Sequence, residues 1–297
     1  MKKSLLKSTL NSLGLMSFLK NVRKSFNWEY NYILNGKKVK GLKIYSAKTE
    51  NSELWMGQLL KVLLRLKDGS FIDVGVNIGQ TLMQVKSLDL NRKYIGFEPN
   101  PSCNMIVEEL IRINGFSDIK LVPVGIFTED TLLELNLYHD DITNAGGSIV
   151  KDYWAFNEIN PHRKIMVPLM CIETIKKVVS LENIDIIKID VEGAEWEVLL
   201  SLKEIIAKNK PYIVIEVLSA YSTENIIRIE RQNSILSLLN SLEYSIFRII
   251  EDDKANLKGI QKIDFFDPYF NKNLCNYLMI HKSEESSITK KIQPIEL

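Results

Sequence analysis

Asp73, Gly75, Asn77 and Gly79 stand at alternate positions in the stretch FIDVGVNIGQT, and Glu98 closes the next apolar run, in KYIGFEPNP. Glycines in such a turn let the backbone approach a ligand where a Cβ would collide with it. Unpaired N–H groups at the start of the following helix favour a carboxylate or phosphate. An acid at the end of the second strand can accept both hydroxyls of a ribose. Strand, glycine turn, helix, strand, acid is the order in which a doubly wound α/β sheet builds a nucleotide site. A dinucleotide fits this version poorly, because the third glycine of G-x-G-x-x-G is missing and the Asp73 carboxylate would repel a pyrophosphate. The same carboxylate suits an ammonium group. The turn therefore points to S-adenosylmethionine, which has an amino-acid end, a ribose and no phosphate. The plainer explanation is a tight turn in an α/β protein without a ligand.

A second constellation is Lys188-Ile189-Asp190-Val191-Glu192-Gly193-Ala194-Glu195. Strand alternation puts Lys188 and Asp190 on one side of the sheet, with Asp190 at the carboxyl end, where ligands sit in an open α/β sheet. Glu192 and Glu195 fall in the turn and the first helical turn. There the helix dipole alone favours an acid, so Glu195 needs no catalytic role to account for it. Lys188 is harder to dismiss: a buried ammonium requires a partner, and Asp190 or Glu216 would supply one, making a polar pocket floor.

Elements must hold these residues in place. Phe71 to Val74 and Tyr94 to Phe97 read as the first two strands, with Thr81 to Lys86 helical between them. Cys103 to Ile113 is a helix closed at Asn114-Gly115, and Ile119 to Val124 is a third strand. The stretch 125–168 is long and turn-rich, as lids and binding segments are. Ile184 to Asp190 and Tyr212 to Val217 are further strands. Ile235 to Leu242 is helical, Tyr244 to Ile250 and Asn276 to Ile280 are the last two strands, and residues from Ser283 onward read as a frayed tail. Upstream, Tyr30 to Tyr45 forms a hairpin around Asn35-Gly36, and Ser52 to Leu66 a helix. These divisions give a cap over 1–69 made of helix, hairpin and helix, a main domain over 70–282 with an insert at about 125–168, and a tail over 283–297.

Composition is that of an ordinary globular chain: 45% hydrophobic, 25% charged, formal net charge +1 over 297 residues. A charge so near zero provides no global field to recruit nucleic acid. Cys103, Cys171 and Cys275 are an odd number without C-x-x-C spacing, which argues against a disulfide framework and suits a reducing, cytoplasmic compartment. The three histidines show no ligand spacing, and no residue is assigned to a metal on spacing. The N-terminus is basic, with Lys2, Lys3, Lys7, Lys20, Arg23 and Lys24, and its apolar run is too short for a membrane span. Its Leu6, Leu10 and Leu13 face suits a helix packed on the main domain. Peripheral contact with an anionic membrane is the sharper but less favoured reading.

FIDVGVNIGQT, GFEPNP, NAGGS, IIKIDVEGAEWEVL and KPYIVIEV occur here in the order and spacing of the FkbM-type methyltransferases, which the chain resembles over about Ser70 to Ile280. That family is similar to the general S-adenosylmethionine-dependent methyltransferases, whose seven-stranded sheet runs 3-2-1-4-5-7-6 with the last strand antiparallel. Val76 replaces the usual alanine, and Gly125-Ile126-Phe127 the usual Ala-Leu-Ser. The resemblance implies methyl transfer, usually to a hydroxyl on a sugar, glycan precursor or natural product. Under it Asp73, Gly75, Asn77 and Gly79, with Thr81 nearby, would hold the methionyl end. Glu98 would take the ribose, beside Asn100, and Asp190 would lie near the sulfonium. Asn144, Ser148, Glu195 and Glu216 would face the acceptor. A sugar hydroxyl is a poor nucleophile at neutral pH, so a base is expected, with His139, Asp190, Glu192 and Glu216 as candidates. A divalent metal on Asp190 and Glu216 is the alternative. A nucleotide-dependent oxidoreductase and an inactive methyltransferase fold serving as an assembly partner are the competing classes. The first is disfavoured by Asp73 and the missing glycine, the second by intact motifs at Asp73, Glu98 and Asp190.

Overall fold

The computed structural model describes residues 28–44, 47–48, 53–138, 146–150, 160–267 and 274–292. The basic N-terminal helix expected before residue 28 lies outside them. The chain divides into two compact units, Met1–Glu50 and Asn51–Leu297. In the first, β1 (Trp28–Leu34) pairs antiparallel with β2 (Lys37–Ile44), and β2 with the short β3 (Ala47–Lys48). The β1–β2 turn is Asn35-Gly36, at φ 51° and 78°. Positive φ at both central residues matches the twist of the flanking strands and is tolerated by these two residue types.

The second unit is built on an eight-stranded sheet, one strand more than expected. Its parallel part comprises β4 (Ser70–Val74), β5 (Tyr94–Phe97), β6 (Ile119–Val122), β10 (Ile184–Ile189) and β11 (Tyr212–Glu216). The late strands are β12 (Tyr244–Glu251), β13 (Leu257–Ile263) and β14 (Asn276–His281). The spatial order is β13-β12-β14-β11-β10-β4-β5-β6, with β14 antiparallel to both β11 and β12. The unexpected strand is β13, which folds back on β12 across a register shift at Ile250/Glu251. Its apolar residues, Leu257, Ile260 and Ile263, recur every third position around Gly259. The period-2 signal of a strand is absent there, and pairing alone makes it one.

Helices cover both faces. On one, α1 (Leu54–Leu63) and α2 (Gln80–Leu88) pack Trp55, Leu59, Leu60, Leu63 and Leu82 against Phe71, Ile186, Val214 and Leu278. On the other, α4 (Ile172–Ile175), α5 (Glu195–Ser201), α6 (Lys203–Asn209) and α7 (Ile226–Ser241) pack against Ile72, Val74, Ile187, Ile189, Ile213 and Ile215. The α3 helix (Pro101–Asn114) follows β5. The α1 helix thus belongs to the main unit, not to an N-terminal cap, so the boundary expected at residue 69 moves to residue 50. The tail expected to fray is ordered as far as residue 292. A 3-10 turn, Lys282–Glu284, leads into α8 (Glu285–Thr289), and Ile288 and Ile292 are buried in the α1-side core.

Part of the insert forms its own small sheet. The β7 (Gly125–Ile126), β8 (Thr131–Leu137) and β9 (Arg163–Met170) strands run in the order β7-β9-β8 around Leu135, Leu137, Val167 and Leu169. A bridge between Asn136 and Ser148 ties the chain back to β8. Among the described residues no helix is long and apolar enough to cross a membrane.

Candidate active site

The site assembles where β4, β5, β10 and β11 end. Pleating places Asp73 on the same face as Phe71, and Lys188 on the same face as Ile186, so both point toward α1 and α2. The two are direct neighbours in the parallel register of β4 and β10. Lys188 Nζ lies 3.6 Å from Asp73 Oδ1 and 3.1 Å from Asp190 Oδ2, and donates to the Gly75 carbonyl at 3.1 Å. Tyr94, one strand over on β5, donates its hydroxyl to Asp73 Oδ2. Burial pushes Asp73 up to about 6 even though Lys188 and Tyr94 pull it down. For Lys188 burial acts downward, but the attraction of Asp190 and Asp73 wins and holds the ammonium above its ordinary value. The cation is therefore secure, and the carboxyl bears the cost of burial.

Asp73 has no exposed surface; its carboxyl accepts the Tyr94 hydroxyl and pairs with Lys188, which in turn holds the Gly75 carbonyl of the turn. Neither Tyr94 nor its bond to Asp73 could be read from the chain, since a strand tyrosine looks like any apolar strand residue.

The turn itself is tightly constrained. Gly75 (φ 87°), Asn77 (φ 51°) and Gly79 (φ 89°) are all left-handed. A Cβ on Gly75 would come within 1.8 Å of the Asp190 carbonyl oxygen. Gly79 opens α2, with Thr81 buried in its first turn. At the end of β5, Glu98 accepts the backbone N–H of Asn77 at Oε2 and that of Asn100 at Oε1, each at 2.8 Å. Burial pushes this carboxyl up to about 7 against the pull of those two amides. Asn100 caps α3 by accepting the Ser102 N–H, with Pro101 at the first helical position. A cap explains Asn100 without a ligand.

Asp190, Glu192 and Glu216 converge. Each brings a carboxylate oxygen within 4.8 Å of the other two. Asp190 follows β10, with its N–H bonded to the Val74 carbonyl. Glu216 ends β11, and Glu192 occupies the turn after β10 at φ 52°. Burial pushes Glu192 and Glu216 well above the usual carboxylate range, and Asp190 raises both further. The Glu192 Oε2 atom is sealed from solvent and meets no hydrogen-bond donor.

The other acceptor-side candidates sit differently. Ser148 is fully buried and donates its hydroxyl to the Glu192 carbonyl at 2.6 Å, which steadies the turn and leaves the hydroxyl committed. Glu195 Oε1 accepts the Gly193 N–H at 2.9 Å, and burial pushes its carboxyl up to about 7. It serves the helix start, as its position suggested. His139 and Asn144 lie outside the described residues.

One contributor had no signal in the chain. Glu53, just before α1, lines a cavity with Trp55, Lys188, Asp190, Glu216 and Asn276. Although the residue as a whole is exposed, burial of its carboxyl end and the nearby Asp190 push it up to about 7. It is held there because α1 is stitched to the β12–β13 turn. Trp55 N–H donates to the Ala255 carbonyl at 2.8 Å, and the Leu257 N–H to Gln58 Oε1 at 2.6 Å.

An open α/β sheet with a glycine turn after its first site strand, a ribose-type acid after the second and acids past the fourth and fifth defines a nucleotide-type enzyme site. Residues 73–246 match the methyltransferase FkbM domain, more than half of the chain, and the protein belongs to that family. A curated relative, Methyltransferase 1 of Beauveria bassiana, is 26% identical over 149 residues, covering 46% of this chain and 60% of the relative. The chain thus spans about three-fifths of the curated relative it matches. Among solved structures, the methyltransferase FkbM from Methylobacillus flagellatus is 17% identical with a TM-score of 0.45, over 78% of this chain and 48% of that one. A SAM-dependent O-methyltransferase from Thermotoga maritima is 11% identical with a TM-score of 0.40, over 84% and 76%.

Proposed function

We propose that this protein transfers a methyl group from S-adenosylmethionine to a hydroxyl on a sugar, a glycan precursor or a natural product. The observation that carries the reading is the unpartnered, sealed Glu192 oxygen within the Asp190–Glu216 cluster. It lies beyond the turn and acid that suit the cofactor. When bound, S-adenosylmethionine supplies an electrophilic methyl on a sulfonium, so the new C–O bond forms as the C–S bond breaks. The backbone of Gly75 to Gly79 would hold its methionyl end. Glu98 would accept the ribose hydroxyls: each oxygen has a lone pair beyond the one given to a backbone amide, and the carboxylate fits the donor set a ribose presents. Glu192 would take the proton leaving the acceptor hydroxyl. A carboxyl whose proton affinity is raised by burial does this better than an ordinary one. Binding donor and acceptor in line supplies much of the remaining rate.

Calorimetry tests the reading directly. S-adenosylhomocysteine should bind and NAD should not; tight NAD binding with none of S-adenosylhomocysteine would sink it. The acid at the end of β5 adds a pH signature. Ribose hydroxyls donate to the ionised form, so affinity should strengthen as pH rises through the folded value of about 7. About a tenfold gain between pH 6 and pH 8 is expected for the wild type. In Glu98→Gln the curve should flatten. A flat wild-type profile would take Glu98 out of cofactor binding.

A further inference from the structure

The three-acid cluster carries more negative charge than the cations near it offset. Lys188 at its edge makes its direct ion pairs with Asp73 and Asp190, and Lys188 and Arg228 pull on Glu192 less than burial and Asp190 push it. Asp73, Asp190, Glu192 and Glu216 against Lys188 and Arg228 leave an excess of two negative charges when all are ionised. The sealed Glu192 Oε2 is the second observation, independent of the count: a buried acceptor on one of the three acids with no donor to meet it. Such groups are costly unless a proton, water or ion satisfies them. The adjoining cavity, lined by Glu53, Asp190, Glu216 and Asn276, leaves space to complete a coordination shell with water or an acceptor hydroxyl.

The donor chemistry narrows the cation. Among the described residues every ligand atom offered is a carboxylate oxygen, with no sulfur and no imidazole. Oxygen-only sets suit hard divalent ions of the magnesium, manganese or calcium type over zinc or copper. An organic ammonium would neutralise one charge of the excess where a divalent ion neutralises two. We propose that Asp190, Glu192 and Glu216 form a binding site for a hard divalent cation, on which the acceptor hydroxyl docks. The role given to the cation rests on the methyl-transfer reading; its existence does not. Coordination makes the hydroxyl easier to deprotonate, and its proton still passes to a carboxyl of the cluster or to solvent.

Manganese is the probe, with the free ion followed by electron paramagnetic resonance during titration of the full chain without acceptor. One Mn²⁺ per chain should bind, and excess Mg²⁺ should displace it. Glu192→Gln and Glu216→Gln should each weaken Mn²⁺ by about tenfold or more, as loss of a ligand requires. Calorimetry with S-adenosylhomocysteine on the same samples checks that both variants remain folded. No bound Mn²⁺ at millimolar concentration would overturn the proposal and leave protons as what the cluster holds. Binding that neither substitution weakens would also overturn it, as an adventitious ion only. If S-adenosylhomocysteine fails to bind while Mn²⁺ binds as described, the methyl-transfer reading falls and the cation site stands.

Discussion

Glu192→Gln should keep S-adenosylhomocysteine binding within about threefold while methyl transfer falls by roughly 10²–10⁴, the usual worth of a general base. A group that acts on the acceptor alone changes turnover and leaves donor affinity nearly untouched. The structure sharpens this expectation in two ways. The Glu192 side chain does not cap α5, since the Gly193 N–H is taken by Glu195 Oε1, so loss of helix-start stabilisation cannot explain a large effect. Its backbone is fixed by the Ser148 hydroxyl on its carbonyl, which glutamine leaves in place. The amide of glutamine retains the shape and loses the proton affinity. Initial rates and calorimetry on one preparation suffice, and an unchanged rate would remove Glu192 from the chemistry. If the cation site holds, added chelator should abolish wild-type activity and Mg²⁺ should restore it.

Lys188→Met should destabilise the main unit by about 3–5 kcal/mol, because it strands Asp73 as an uncompensated buried charge. In a domain of this size that is a fall of roughly 6–20 °C in melting temperature. The pH dependence identifies the cause. The folded-state pKa of Asp73 is raised, to about 6 with Lys188 in place, and loss of Lys188 raises it further. A raised carboxyl contributes its full stability below the unfolded value and loses it as pH rises through the folded one. The deficit of Lys188→Met should therefore be large at pH 8 and shrink toward pH 5. Adding Asp73→Asn should recover much of it at pH 8. An equal deficit at both pH values, read by urea denaturation, would mean that the methionine merely packs badly and that the ion pair contributes little.

Both effects show how the chain divides its information. The Asn35-Gly36 turn, the left-handed Gly75-to-Gly79 loop and the cap at Asn100-Pro101 are legible in sequence, because each is decided within a few residues by which side chains tolerate a backbone angle or a bare N–H. The buried parallel strands are legible for a similar reason, as short continuous apolar runs bounded by acids and turns. Asp190 and Glu192 follow from the same local reading, since a strand end and the turn after it are fixed by alternation.

Tertiary structure alone decided the rest, and in each case the partner is distant in the chain. Asp73 was legible as an acid at a glycine turn, but only the register of β4 against β10 seals it beside Lys188, and only β5 brings Tyr94 onto it. The β13 strand has no alternation of its own and exists because β12 offers it an edge. Ile288 and Ile292 look like tail residues until α1 and the sheet provide an apolar surface to bury them. Glu53 carries no motif and reaches the site because α1 is hydrogen-bonded to a turn about 200 residues downstream. Local preferences set which backbone shapes were available; burial and pairing across the sheet, which no short window of sequence contains, decided which charged groups share one pocket.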